Sequence, residues 1–256
     1  MHKLIMIPVS VVIIVKNESA VIDRCLQSIQ SLTDDILVCD TGSTDDTRSI
    51  AIRRGARVID MDWNGYGATK NAAHKHAKYD WIFSLDADEY IDETLYHALQ
   101  QIDWNLKHRA FSIRRMGYFE GKLIRYGTWL GEKKIRIFPR LEAFWNQSIV
   151  HEKLELNDLL IQNTEGLIIE NNPQNKAQYV HKMDFYAKLC AEKYLLKNIK
   201  GARWKKLISP IYNFLFNYLI RLGFLDGKEG LLLCRIQAWY TYKKYDYVCS
   251  KKYHRP

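Results

Sequence analysis

The sequence predicts an α/β protein built on an open, mostly parallel sheet flanked by helices. Three observations carry this: apolar runs rich in β-branched residues recur through the N-terminal third, helix-patterned segments separate them, and the connections are short. PVSVVIIV is a continuous β-branched run, as a strand buried on both faces requires, so Val9 to Val15 is read as the first strand. SAVIDRCLQSIQ then places Val21, Ile22, Leu26 and Ile29 near one helical face. Asp35 to Cys39 reads as the second strand, Asp45 to Arg54 as a helix with Thr44 at its N-cap, and ARVIDM as a short third strand. After a turn at Gly65 and Gly67, ATKNAAHKHAKY is helical and WIFSL is the fourth strand. Parallel strands with right-handed crossovers gather ligands at their carboxyl ends, so Asp40 and Asp86, each just past a strand, point at one crevice.

Beyond Asp92 the pattern changes. AFSIRRMGYF, KKIRIFPR and SIVHEKLEL alternate like antiparallel strands at a sheet edge, and Tyr179, Met183, Tyr186, Leu189, Tyr194 and Leu195 announce helices from Gln178 onward. The expected boundary lies at Pro173, between a catalytic sheet domain of residues 1–172 and a helical region of residues 173–256.

The chain has 256 residues, 47% hydrophobic and 26% charged, which excludes a disordered class. Its five cysteines are scattered and form no CxxC pair, so a zinc knuckle or disulfide framework is not expected and a reducing, cytoplasmic compartment fits. The first residues carry no small-residue cleavage site, and Leu207–Ile220, the longest uncharged stretch near the C-terminus, is shorter than the roughly 20 residues needed to cross a bilayer. The net charge of +9 is uneven: residues 176–256 hold 17 Lys and Arg against 5 Asp and Glu, leaving 21 against 24 for residues 1–175. A basic C-terminal third calls for an anionic partner, a membrane surface or a phosphorylated substrate. Nucleic acid is not expected, because no finger, RNP or basic-zipper pattern is present.

WIFSLDADEY carries the chemistry. Two carboxylates one residue apart at a strand exit, with no thiolate or imidazole beside them, suit a hard divalent cation, Mg²⁺ or Mn²⁺, that takes its other ligands from water and from the phosphates of a diphosphate. A solvated turn leading into a helix is the plainer reading of a bare DxD.

The motif has company. VVIIVKNESAVIDRCLQSI, DDILVCDTGSTDDT and WIFSLDADE, in that order, resemble the family 2 glycosyltransferases, whose nucleotide-sugar domain has the GT-A fold. WNGYGATKNAA, KKIRIF, VHEKLEL and YLIRLGFLDGKEGLLLCRIQAWYTYKKY extend the likeness to lipopolysaccharide core glucosyltransferases that modify the inner-core heptose of Gram-negative bacteria. The resemblance implies an inverting transfer of a hexose, glucose above all, from a UDP-sugar to a lipid-linked or lipopolysaccharide core acceptor, on the inner face of the cytoplasmic membrane. It also implies that Asn17, Glu18 and Asp40 hold base and ribose, that Asp86 approaches the ribose or a metal-bound water, and that Asp88 ligates the metal.

Lys70 and Asn71, one turn into a helix that starts at the crevice, either touch phosphate or sugar or form a solvated face. Lys134 and Arg136 either meet a phosphate together or lie on a solvated sheet face. In VHEKLEL, Glu152 is the favoured base and His151 a metal ligand or orienting group, with Asp158, Glu120 and Glu132 in reserve; Glu152 paired with a lysine on an exposed strand is the competing reading. Two other functions share features with this sequence: a sugar nucleotidyltransferase, whose glycine-rich N-terminal loop is replaced here by KNE, and a noncatalytic sugar-nucleotide-binding or membrane-scaffold protein. KNIKGARWKKLISPIYNFLFNYLIRLGF joins lysines to a run of Ile, Phe, Tyr and Leu, the combination of a helix at an anionic membrane interface or of a buried helix.

Overall fold

The computed structural model describes residues 6–146 and 153–253. The chain divides into two compact units, one of residues 1–115 with 132–172, the other of residues 116–131 with 173–256. The strands in chain order are β1 (Val9–Val15), β2 (Asp35–Asp40), β3 (Arg57–Asp60), β4 (Trp81–Ser84), β5 (Glu89–Ile91), β6 (Arg109–Phe119), β7 (Lys122–Ile124), β8 (Lys133–Pro139), β9 (Ala143–Trp145), β10 (Leu154–Leu156) and β11 (Leu160–Gln174). The helices are α1 (Ile22–Ile29), α2 (Thr47–Arg53), α3 (Tyr66–His74), α4 (Glu93–Gln100), α5 (Lys176–Leu196), α6 (Ala202–Leu215) and α7 (Gly227–Tyr253).

In the first unit the strands run β3-β2-β1-β4-β8-β6-β11-β5. The four N-terminal strands pair in parallel, with Val11 opposite Ile36 and Phe83, and the sheet continues through antiparallel pairs from β4 to β8 onward. The β-branched run of β1 is buried over almost its whole length because helices cover both faces. Val9, Val11 and Ile13 pack with Phe83 against α1 and α4, while Val12 faces the opposite way with Ile82, Phe138 and Ala73 of α3. Each such fully buried side chain contributes about 1.5–3 kcal/mol, so the central strands are the least movable part of the unit. β9 and β10 form a separate antiparallel pair with Trp145 opposite Leu154.

Two boundaries differ from the sequence pattern for local reasons. α2 begins at Thr47, because Asp45 accepts from the Thr47 amide and hydroxyl and Thr44 donates its amide to Asn17, so Thr44 ties two loops together and caps no helix. α3 starts earlier, at Tyr66, and takes in Gly67. β5 and β11 were not foreseen: one is only three residues long, and the other carries no alternating pattern.

The second unit is α-helical apart from β7, which pairs with the end of β6. α5 opens with a capping box in which Asn175 and Gln178 satisfy each other's backbone amides. Tyr179, Met183 and Leu195 are buried, as their spacing predicts, but Tyr186 and Leu189 are exposed. Phe119, Ile124, Tyr179, Met183, Leu233 and Ile236 form one core cluster, and Ala191, Leu195, Ala202, Tyr245 and Val248 another.

Candidate functional site

Just past β4 the chain leaves the sheet at Asp86 and re-enters it at β5 with Glu89. Asp86 Oδ2 accepts from Arg136 Nη2 at 2.9 Å and Oδ1 from Lys70 Nζ at 3.4 Å. Burial acts to raise the Asp86 carboxyl, but Arg136 and Lys70 outweigh it and hold it well below the usual range. Glu89, fully buried, accepts from the same Arg136 nitrogen at 2.6 Å and from Arg115 Nε at 2.7 Å. Arg115 also reaches Glu170 of β11 at 2.9 Å. A lattice of two guanidiniums and three carboxylates, centred on buried Arg136 and Glu89, therefore underlies the strand exit.

Phe111 pairs with Ile137 while Ser112 pairs with Ile135, so Arg136 sits at a β-bulge that turns it into this lattice; Lys134 is exposed beside Glu132, and both residues line one cleft. Glu132, a reserve base, is held below its ordinary range: burial raises it, and Lys134 and Arg115 overcome that. Glu89, Arg115 and Glu170 escaped the sequence reading because their meeting depends on strands far apart in the chain.

Asp88 differs from Asp86. Among the described residues it has no ion-pair partner, and burial first, then Glu170 and Asp86, push its carboxyl above the ordinary range. Glu18, in the loop after β1, is raised by burial and then by Asp88, Asp45 and Asp86. Glu18 and Asp88 thus each feel neighbouring carboxylates, with Arg115 offsetting the charge of Asp88 only in part. Such oxygen donors are of the type that fits a divalent cation, and no group of three metal-ligating side chains gathers around one point among the described residues.

Asn17 and Asp40 shape the loop. Asn17 has a left-handed backbone, φ 58°, and its Oδ1 accepts from the Thr44 amide at 2.8 Å. Asp40 is buried, with Oδ1 accepting from the Ser43 amide and hydroxyl and the Gly42 amide, and Oδ2 from Arg48 at 3.1 Å. Burial acts to raise it, and these bonds bring it below its usual range. Both side chains are engaged inside the loop.

The Lys70 side chain lies over the Trp145 ring at 4.5 Å. Asn71 is spent on the backbone of the same residue, donating Nδ2–H to the Trp145 carbonyl at 2.7 Å and accepting the Trp145 amide at 2.8 Å. Gly67 completes the dock: a Cβ there would stand 2.1 Å from the Asn146 carbonyl oxygen, so only glycine lets α3 and the end of β9 approach this closely. His151 and Glu152 lie outside the described residues.

Two clefts flank Asp86 and Lys70, which line both. One, of about 250 Å³, is bounded by Ile14, Val15, Glu18, Thr41, Trp63 and Tyr66. Trp63 and Tyr66 are in edge-to-face contact at 4.7 Å and about half exposed. The other, of about 510 Å³, is strongly cationic, adding Arg115, Lys133, Lys134, Arg136 and Lys153 to the shared Lys70.

A helix-flanked mixed sheet with carboxylates at a parallel-strand exit and a cationic cleft beside them is an architecture that suits binding of an anionic small molecule. Residues 10–154 match the family model described as glycosyl transferase family 2, and the chain belongs to that family. Its fold is GT-A and it is a glycosyltransferase, which sets aside the nucleotidyltransferase and scaffold readings. The chain is 40% identical to a glycosyltransferase of Rickettsia felis over 90% of this chain and 86% of that one. It is 23% identical, over 93% of both chains, to the lipopolysaccharide core biosynthesis glycosyltransferase LpsC of Rhizobium meliloti. Among solved structures, glucosyl-3-phosphoglycerate synthase of Mycobacterium tuberculosis in complex with Mn²⁺, UDP and glucosyl-3-phosphoglycerate is 25% identical over 44% of each chain, with a TM-score of 0.33.

Proposed function

We propose that the protein is a metal-dependent, inverting hexosyltransferase that moves glucose from UDP-glucose to a sugar hydroxyl of lipopolysaccharide core or a related lipid-linked envelope glycan, at the cytoplasmic face of the membrane. The observation that carries this is the carboxylate set after the parallel strands, with Glu18 lining the smaller cleft and Asp86 and Lys70 lining both that cleft and the cationic one. In this reading the base lies against Trp63 and Tyr66, and the loop folded on Asp40 and Asn17 presents its backbone to the nucleoside. Asp88, with Glu18 behind it, would hold a Mg²⁺ or Mn²⁺ ion, which when bound offsets charge on the departing diphosphate. Asp86, fixed by Arg136 and Lys70, is the carboxylate placed for the ribose or a water of the ion, and Lys70 supplies a fixed positive charge. Glu152 is the proposed base for the acceptor hydroxyl, with His151 orienting it, a role worth about 10² to 10⁴ in rate.

Thermal melts with a panel of nucleotide sugars and Mn²⁺ test the donor before any acceptor is known, because binding raises apparent stability by mass action. UDP-glucose with Mn²⁺ is expected to shift the melt most, and Glu152→Gln is expected to keep that shift while slowing transfer to purified core by about a hundredfold or more. No shift with any UDP-sugar would refute the donor, and a Glu152→Gln enzyme of normal turnover would remove that residue as the base.

A further inference from the structure

The second unit carries a helix turned inside out. Along α6 beyond Lys205 and through the π-helical turn that follows it (Phe216–Ile220), every exposed position is apolar. Trp204, Leu207, Ile208, Ile211, Tyr212, Leu215, Phe216, Leu219 and Ile220 follow an i, i+3, i+4 repeat, and most are 46–72% exposed. The buried positions of this stretch are only Ala202 and Asn217, with Ser209, Pro210, Asn213, Phe214 and Tyr218 half-buried. An ordinary surface helix has the reverse polarity, and soluble proteins rarely leave a contiguous apolar stripe of this kind uncovered. At 17 residues the stripe is roughly 25 Å long. No helix among the described residues is long and apolar enough to cross a membrane, so this one can only lie along a surface.

Charge identifies the occupant. From Lys193 to Leu225 the chain holds seven Lys and Arg and no Asp or Glu. Lys197, Lys200, Arg203 and Lys205, at the start of α6 and in the turn before it, are all exposed. A second copy of the same basic stripe would repel the first, whereas anionic lipid headgroups complement it while the acyl region takes the apolar side chains. We propose that the face of α6 from Trp204 to Ile220 seats the enzyme in the interface of an anionic bilayer, lying parallel to the membrane plane with Lys197, Lys200 and Lys205 among the headgroups. Its purpose rests on the lipid-linked acceptor proposed above, but the surface itself is argued from the second unit alone.

The test is flotation of the full chain with phosphatidylcholine vesicles, with and without roughly a third of phosphatidylglycerol. Wild-type protein is expected to float with the anionic vesicles, less so at high salt. Leu207→Glu/Ile211→Glu is expected to reduce partitioning at least about tenfold, as is Lys200→Glu/Lys205→Glu, which spares the apolar face. Both pairs are exposed, so the thermal shift with UDP-sugar and Mn²⁺ is expected to survive and report the folded first unit. Wild-type protein that stays with neither vesicle, or variants that float as it does, would overturn the proposal. So would a wild-type dimer that Leu207→Glu/Ile211→Glu turns into monomers with partitioning unchanged, since the face would then join two copies. Loss of the donor shift alone, with flotation intact, would sink the catalytic reading and leave this one standing.

Discussion

Arg136→Met is the substitution that most directly probes the lattice beneath the strand exit. The guanidinium is buried, its Nη2 binds Glu89 at 2.6 Å and Asp86 at 2.9 Å, and Glu89 is wholly inaccessible to water. Removing one partner of a buried ion pair costs about 3–5 kcal/mol, because the remaining charge is left in a poorly solvated place. Arg115 still holds Glu89 at 2.7 Å, and the Asp86 side chain is 41% exposed, so its half of the loss is screened; the expected cost is near the bottom of that range, about 3 kcal/mol. For a chain of this size that corresponds to a melting point lower by about 6–12 °C. Circular dichroism melts at neutral pH measure it, with Glu89→Gln and the double variant completing a cycle. The double variant should be less destabilised than the sum of the singles by about 2 kcal/mol, since each removal strands the other's charge. A loss under about 1 kcal/mol for Arg136→Met, or strict additivity, would refute a buried ionic lattice.

Two further outcomes follow from the raised and lowered carboxyls and imidazole. Asp88 has a folded-state value raised chiefly by burial, so its stabilising contribution is complete at acid pH and is lost as pH rises through that value. At neutral pH its charge is a penalty; Asp88→Asn should therefore melt no lower than wild type while losing the response to Mn²⁺ with UDP, and a lower melting point would show the charge to be compensated. Buried His74 runs the other way: burial, then Lys70 and Arg140, bring it from 6.5 to about 4, so its contribution is present above 6.5 and lost as pH falls toward 4. The shift corresponds to about 3 kcal/mol, and chemical denaturation of His74→Gln across that window should show a smaller acid loss than wild type. Equal acid losses would mean that His74 is not held neutral.

Much of the parallel half was legible because each strand there is buried on both faces and so must be written in β-branched residues, as Val9–Val15 shows. Asp86 and Asp88 were legible from their position after such a strand. What distinguishes them was not: Asp86 is neutralised by Arg136 and Lys70, and Asp88 is crowded by Glu170, partners that arrive from elsewhere in the chain. The partners of Arg136 were not legible because a bulge breaks the two-residue alternation that the sequence implies. Those of Asn71 were not legible for a different reason, since a polar residue near a crevice reads the same whether it binds a ligand or a neighbouring backbone. Tyr186 and Leu189, periodic but exposed, show that spacing marks a helix face without saying whether anything covers it.

The joint between α3 and β9 has a mechanical consequence. Asn146 and Lys153 are stapled to each other, amide to carbonyl at 3.0 Å and amide to side-chain oxygen at 3.0 Å, and Asn71 and Gly67 fasten the near post to the helix bearing Lys70. The end of β9 and the residue leading into β10 are thus moored, through Asn71 and Gly67, to the helix that presents Lys70, so a shift of that helix would carry the β9–β10 ribbon with it.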